Sequence, residues 1–244
     1  MSDFLSTLLD EFPQVGAGLW VTLQATVLGS LLALLLSFAL GLMAGSRLLL
    51  VRGLSRTVVE FFRGTSLYIQ LFWLYYAMPQ LTGYELTPVL CGVVAFGLNY
   101  GAYGSEIVRG AINSVPRAQY EAAVALNMSP FHRMRKVILP QAWVQMIPSF
   151  TNLLIQLLKC TPLLWLISAA DLMTVIQQIR DRTGETLTAY LTLLAAYFVL
   201  AYALTLLMNL LERSAKRRLG LPTGAGSLLR TRSARPATTA GGAR

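Results

Sequence analysis

From Phe12 to Ser46 the chain carries no charged side chain. An α-helix rises about 1.5 Å per residue, so about 20 apolar residues cross a ~30 Å hydrocarbon core. The stretch is too long for one upright helix and too short for two with a turn. It predicts one long tilted helix from Gly16 to Ser46, preceded by an amphipathic interfacial turn of Phe4, Leu5, Leu8, Leu9 and Phe12. Comparable stretches lie between Arg63 and Glu85, between Glu85 and Glu106, from Val137 to Ala170 with Lys159 as the one interruption, and between Glu185 and Glu212. Together they predict an all-α polytopic membrane protein with five transmembrane helices. Composition agrees. Apolar residues make up 55% and charged residues 13%, against about 25% charged in soluble proteins. A soluble domain of this size would expose large sticky patches. An ordinary soluble enzyme and a disordered chain are therefore excluded.

The net charge is +9. In a soluble protein that balance would point to nucleic acid, but here the basic residues sit between and after the apolar runs, and no nucleic-acid partner is expected. Arg47, Arg52, Arg56 and Arg63 follow the first span. Arg109, Arg117, Arg133, Arg135 and Lys136 follow the third, and a basic cluster from Arg213 to Arg218 follows the fifth. The turn from Thr82 to Thr87 has no basic residue, and Arg180 and Arg182 are offset by Asp171, Asp181 and Glu185. The positive-inside rule then places the N-terminus outside and the C-terminus in the cytoplasm. Residues 1–15 read as an extracytoplasmic interfacial segment, 16–213 as the transmembrane domain and 214–244 as a basic, disordered cytoplasmic tail that can brush anionic lipid.

No catalytic constellation is visible. Cys91 and Cys160 lie inside apolar runs, and His132 has no Cys or Glu nearby in sequence, so no metal site is expected. The chain has no G-x-x-x-x-G-K-[ST], so it does not cradle nucleotide phosphates in that way. A stand-alone secondary carrier or channel is a competing reading. It would need coupling-ion sites, usually acids deep in the membrane, and the spans hold none. A membrane enzyme would need a nucleophile, base or metal set near an interface.

The segment between spans three and four, about 114–140, carries the most pattern. Ser114 suits a helix cap and Pro116 a first turn. Helix formers continue to Leu126, and Asn127 predicts a left-handed stop. Ser129 then caps a second short helix with Pro130 at its first position. The prediction is a helix, a tight turn and another helix at the membrane surface.

Here the sequence resembles a family. Glu121-Ala122-Ala123, the turn residue Asn127 six places after the glutamate, and Ile138-Leu139-Pro140 resemble the EAA loop of ABC importer permeases. Glu60-Phe61-Phe62-Arg63-Gly64-Thr65 and Glu106-Ile107-Val108-Arg109-Gly110-Ala111-Ile112 resemble the polar amino acid uptake subfamily. Asn99-Tyr100-Gly101-Ala102-Tyr103-Gly104 and Ala125-Leu126-Asn127-Met128-Ser129-Pro130 are most similar to ectoine/hydroxyectoine permeases, where Asn127 replaces the glycine usual in the wider family. The resemblance covers roughly Gly16 to Arg213. It implies the type I importer permease fold in a bacterial cytoplasmic (inner) membrane. It implies a second permease subunit, identical or different, a cytoplasmic ATPase dimer that docks on Glu121, Ala122, Ala123 and Asn127, and a separate extracytoplasmic solute-binding protein. It also implies that ATP and Mg are used by the ATPase and that this chain binds no cofactor.

Within span four, Asn152, Gln156 and Lys159 are spaced to share one helix face. A lysine at mid-membrane costs roughly 2.5–3.5 kcal/mol on insertion scales. Lys159 is therefore expected near mid-span, facing the bundle interior, with Thr161 and a Pro162-loosened turn beside it. A face of amide and ammonium donors suits a carboxylate-bearing substrate, while packing against other helices accounts for the same face. Glu60 with Arg63, and Glu106 with Arg109, stand one turn apart and are expected to form structural pairs.

Overall fold

The structure, a computed structural model, describes residues 2–218. The basic tail expected over 214–244 lies, from residue 219 onward, outside the described residues. The helices run in the order α1 (Ser2–Asp10), α2 (Phe12–Ala44), α3 (Leu49–Gly64), α4 (Leu67–Phe72), α5 (Met78–Thr82), α6 (Pro88–Ser114), α7 (Arg117–Ala125), α8 (Pro130–Arg133), α9 (Leu139–Cys160), α10 (Leu172–Thr183) and α11 (Thr186–Arg218). Wider π-helical turns at Trp73–Ala77 and Met134–Ile138 and a tighter 3-10 segment at Thr161–Ile167 join some of them.

α2 lies along α6 for most of its length. The buried residues of α2 explain how two helices come so close: Gly18, Thr22, Ala25, Thr26, Gly29, Ala33, Ser37 and Gly41 are all small and recur every three or four residues. Such a stripe lets backbones approach, and close packing drives helix association where the surroundings are as apolar as the side chains. At Gly41 an added Cβ would sit 2.8 Å from Val108 Cβ and 2.9 Å from the Ser105 carbonyl. The Ser37 hydroxyl donates to Ala33 O at 2.6 Å within its own helix. Leu71, Phe96, Leu157, Leu164 and Ile167 complete a core shared by α4, α6, α9 and the 3-10 segment. A second core joins Phe4 of α1 to Val175, Ile176 and Ile179 of α10 and to Leu193 of α11.

Among the described residues, three stretches are long and apolar enough to cross a membrane: Phe12–Ala44, Pro130–Ile167 and Thr186–Ser214. The second and third expected spans take other forms. The arginine-bearing segment after α2, expected as a loop, is the helix α3. Its Ser55 hydroxyl donates to Leu40 O of α2 at 2.8 Å, which ties the two into a hairpin. The helical path then breaks at Thr65 and Ser66, both extended, before α4 begins. α6 is 27 residues long but carries Asn99, Glu106 and Arg109, which dilute its hydropathy. The expected loop after span four contains the whole of α10, capped by Asp171 at its start and by left-handed Gly184 at its end.

Candidate functional site

α9 is two-faced. Met146, Phe150, Leu153, Leu157 and Leu158 are buried, whereas Gln145, Ser149, Asn152, Gln156 and Lys159 are exposed. The exposed set recurs every three to four residues and forms one polar stripe down the helix. Lys159 does not stand at mid-span facing this chain's own bundle. It occupies the last turn of α9, and among the described residues no carboxylate pairs with it. The physical reason is the helix end: Pro162 lacks an amide hydrogen, the α-helical pattern stops at Cys160, and a 3-10 segment follows. That change of pitch also removes Thr161 from the stripe. Thr161 is fully buried, donates to Leu158 O at 2.8 Å and faces the Tyr197 hydroxyl of α11 at 3.4 Å.

Toward the α7 end of α9, α6 and α3 pack beside this face. Ser114, expected to cap α7, instead ends α6 and is hydrogen-bonded to Gln145 of α9, which brings the two exposed faces together. α7 starts one residue after Pro116, with no side-chain cap. One turn back along α6, Arg109 Nε donates to Glu106 at 3.1 Å. Glu60 and Arg63 do not form the corresponding pair. Arg63 lies over the Tyr103 ring of α6, 5.3 Å from its centroid, and its main-chain carbonyl accepts from the Tyr103 hydroxyl at 3.4 Å. The stacking partner across the helix interface outcompetes the exposed carboxylate one turn away.

The break between α3 and α4 is the feature that sequence reasoning missed. It frees main-chain carbonyls that must find donors. Gln70 Nε2 and Asn99 Nδ2 each donate to Phe62 O at 3.0 Å. Gln70 Nε2 also meets Thr65 Oγ1 at 2.6 Å, and Asn99 Nδ2 meets Gln70 Oε1 at 3.3 Å. Both amides are buried. Two amide residues inside apolar runs were the available signal. Beside the break, Phe61, Ile69, Trp73 and Leu98 line a groove of about 370 Å³.

The surface loop is built as a helix, a reversal and a second short helix. α7 ends in a reversal where Met128 N–H donates to Ala123 O at 3.0 Å and Asn127 N–H to Val124 O at 2.9 Å. Asn127 has φ +53°, so the left-handed stop is present, in the two-bond arrangement that usually takes glycine. Ser129 Oγ accepts from His132 N–H at 3.4 Å and starts α8. Glu121 and Ala122 are exposed while Ala123 is buried. Beside them Val124, Leu126 and Phe131 are exposed apolar residues, and Arg133 lies 6.0 Å from the Tyr120 ring centroid. Glu121 thus stands on a helix that combines a carboxylate, small residues and an uncovered apolar rim.

Residues 37–217 match the family described as "Binding-protein-dependent transport system inner membrane component". The chain belongs to that family. A probable amino-acid ABC transporter permease protein, y4tF, of Sinorhizobium fredii (strain NBRC 101917 / NGR234) is 44% identical over 213 residues, covering 85% of this chain and 90% of that protein. The L-cystine transport system permease protein TcyB of Bacillus subtilis (strain 168) is 33% identical, over 84% of this chain and 88% of that one. Among solved structures, an amino acid ABC transporter crystallised with histidines superposes with a TM-score of 0.79 at 32% identity, covering 86% of this chain and 98% of that chain. This permease is thus a transport subunit and not an enzyme. ATP hydrolysis belongs to a separate ATPase, and a second permease subunit completes the membrane part.

Proposed function

We propose that this permease forms half of the translocation path of an ATP-driven importer for an amino acid or an amino-acid derivative. The observation that carries the reading is the polar stripe Gln145–Ser149–Asn152–Gln156–Lys159, exposed on the single chain and ending in an ammonium with which no carboxylate among the described residues pairs. Facing lipid, that stripe would be unfavourable. Facing a second permease across a wet path, it offers amide donors and one cation to a carboxylate. In this reading residues 16–213 form the transmembrane domain, with the broken path through α4 and α5 and the helix α6 completing five spans, the N-terminus outside and α7 in the cytoplasm. In this arrangement the helix around Glu121, Ala122 and Ala123, with its Asn127 reversal, seats on the ATPase dimer. A solute-binding protein delivers substrate from the opposite side, and Thr161 supports the outer end from behind. ATP and Mg belong to the ATPase.

For the substrate itself, the motifs Asn99–Gly104 and Ala125–Pro130 favour ectoine or hydroxyectoine, which carry a carboxylate. The relatives named for amino-acid and L-cystine transport favour another polar amino acid. Uptake into proteoliposomes holding the permease, its ATPase and its binding protein, with unlabelled ectoine or polar amino acids as competitors, separates the two. Competition by ectoine alone supports the first; competition by a polar amino acid alone supports the second. Uptake without ATP would instead support a secondary carrier.

A further inference from the structure

α4 opens an aromatic ladder. Tyr68, Phe72 and Tyr76 recur every four residues on one side of the helical path. Their ring centroids are 4.5 Å apart for the first pair and 5.3 Å for the second. Tyr68 and Tyr76 are nearly half exposed, so the rings lie against one another rather than sunk in the core. The core side of the same helix is Leu67, Leu71 and Leu74, which pack with Leu164 and Ile167 of the 3-10 segment. At its far end the ladder touches that segment: the Tyr76 hydroxyl donates to Leu166 O at 3.5 Å.

α6 fixes the height of the ladder against the polar stripe of α9. Asn99 Nδ2 of α6 donates to Gln70 Oε1 at 3.3 Å, and the next residue, Tyr100, donates its hydroxyl to Cys160 Sγ at 3.0 Å. Toward the start of α6, Cys91 Sγ lies 3.9 Å from Leu74 O; at its end, Ser114 bonds Gln145. Both α4 and α9 therefore run antiparallel to α6 and parallel to each other. Gln70 lies between Tyr68 and Phe72, and Lys159 immediately precedes Cys160, so these rings and the ammonium stand within about one helical turn of the same height. That height is near the middle of α6, a 27-residue helix. The Tyr68 hydroxyl has no hydrogen-bond partner among the described residues. Facing hydrocarbon at that depth, it would go unsatisfied. Facing the wet path that the α9 stripe lines, it is solvated.

An aromatic ring carries negative potential on its faces and attracts cations there. This chain already uses that attraction once, with Arg63 over the Tyr103 ring at 5.3 Å. Lys159 alone would suit any small anion. Ring faces at the same height add a place for positive charge, and the two together complement a molecule that carries both. We propose that Tyr68, Phe72 and Tyr76 form a subsite for the cationic part of the solute. The solute class is then a zwitterion whose carboxylate meets Lys159 while its positive group rests on the rings. The proposal rests on the reading of the α9 stripe as the substrate path.

The test changes the charge of a ring at nearly constant shape. Phe72 is replaced by phenylalanines bearing progressively more ring fluorines, each of which weakens the negative face. The full-length permease is assembled with its ATPase and binding protein in proteoliposomes. Maximal ATP-dependent uptake per assembled complex is followed for the labelled solute that wild type carries, drawn from ectoine and the polar amino acids. Uptake is expected to fall stepwise, by about two- to thirtyfold across the series. The same series at Phe96, fully buried in the core, is expected to leave uptake unchanged. An equal fall at Phe96 would overturn the subsite in favour of packing. Unchanged uptake across the Phe72 series overturns it too, and Lys159→Met then tells which reading has failed. Lost uptake in that variant leaves the path standing without the rings, whereas wild-type uptake removes the path as well. No ATP-dependent uptake of any of these solutes by wild type would overturn the subsite and the importer reading together.

Discussion

The side-chain amide of Asn99 on α6 donates to the main-chain carbonyl of Phe62 on α3 at 3.0 Å, across the point where the helical path through α3 and α4 is broken. With Gln70 it occupies an acceptor that an unbroken helix would have satisfied internally. Asn99→Leu removes the donor and leaves a buried carbonyl less well satisfied, at about 1–3 kcal/mol. The expected result is a lower unfolding temperature of the detergent-solubilised complex. Asn99→Asp should be at least as damaging, because a carboxylate cannot donate to Phe62 O. Wild-type melting in both variants would show that the break holds without this clamp.

Packing between α2 and α6 predicts a second effect. An alanine methyl at Gly41 would meet Val108 Cβ at 2.8 Å and Ser105 O at 2.9 Å, atoms fixed by the α6 backbone. Overpacking of this kind costs about 1–3 kcal/mol. Gly41→Ala should therefore lower the melting temperature, whereas Gly53→Ala, with open space around it, should not. Equal melting of the two variants would remove close approach as the reason for glycine at 41.

Uncharged runs and basic loops located α2, α9 and α11 because length and hydropathy alone define them. The α7 reversal was equally legible, since Asn127, Ser129 and Pro130 each have a local backbone preference that tertiary contacts did not override. The α3–α4 break was not, because it depends on donors from Gln70 and Asn99, which lie at different distances along the chain. The side of the helix that Lys159 faces was also out of reach. A polar stripe says that one face differs from the other, but not whether the covering partner is the same chain or another. Ser168 shows a further limit: its φ is +56°, a left-handed value that serine seldom signals. Arg63 shows the competition between neighbours, with an aromatic ring across the interface taking the place of Glu60 one turn away.

Asn127 gives a prediction about backbone geometry. Asn127→Gly should be neutral or stabilising, by about 1 kcal/mol at most, because glycine adopts the left-handed conformation freely. Asn127→Val should open the reversal between α7 and α8 and reduce substrate-stimulated ATP hydrolysis while leaving membrane insertion intact. Normal stimulation in the valine variant would separate the reversal from coupling.

Glu121 tests the docking surface itself. It is exposed beside Val124 and Leu126, so Glu121→Lys should not disturb folding, and the expected change lies in the complex. Co-purification of the ATPase should fall, and residual hydrolysis should no longer respond to substrate. An intact complex with normal stimulation would remove the role assigned to this helix.

If the polar stripe of α9 meets the substrate, Lys159, its one charge, should govern uptake. The most direct test is ATP-dependent uptake per assembled complex in proteoliposomes, comparing wild type with Lys159→Met and Lys159→Arg. Lys159→Met is expected to assemble, keep near-normal basal ATP hydrolysis and lose most uptake. Lys159→Arg should retain part of it, since the charge stays on a broader head group. Uptake by Lys159→Met at the wild-type rate would show that the stripe does not meet the substrate.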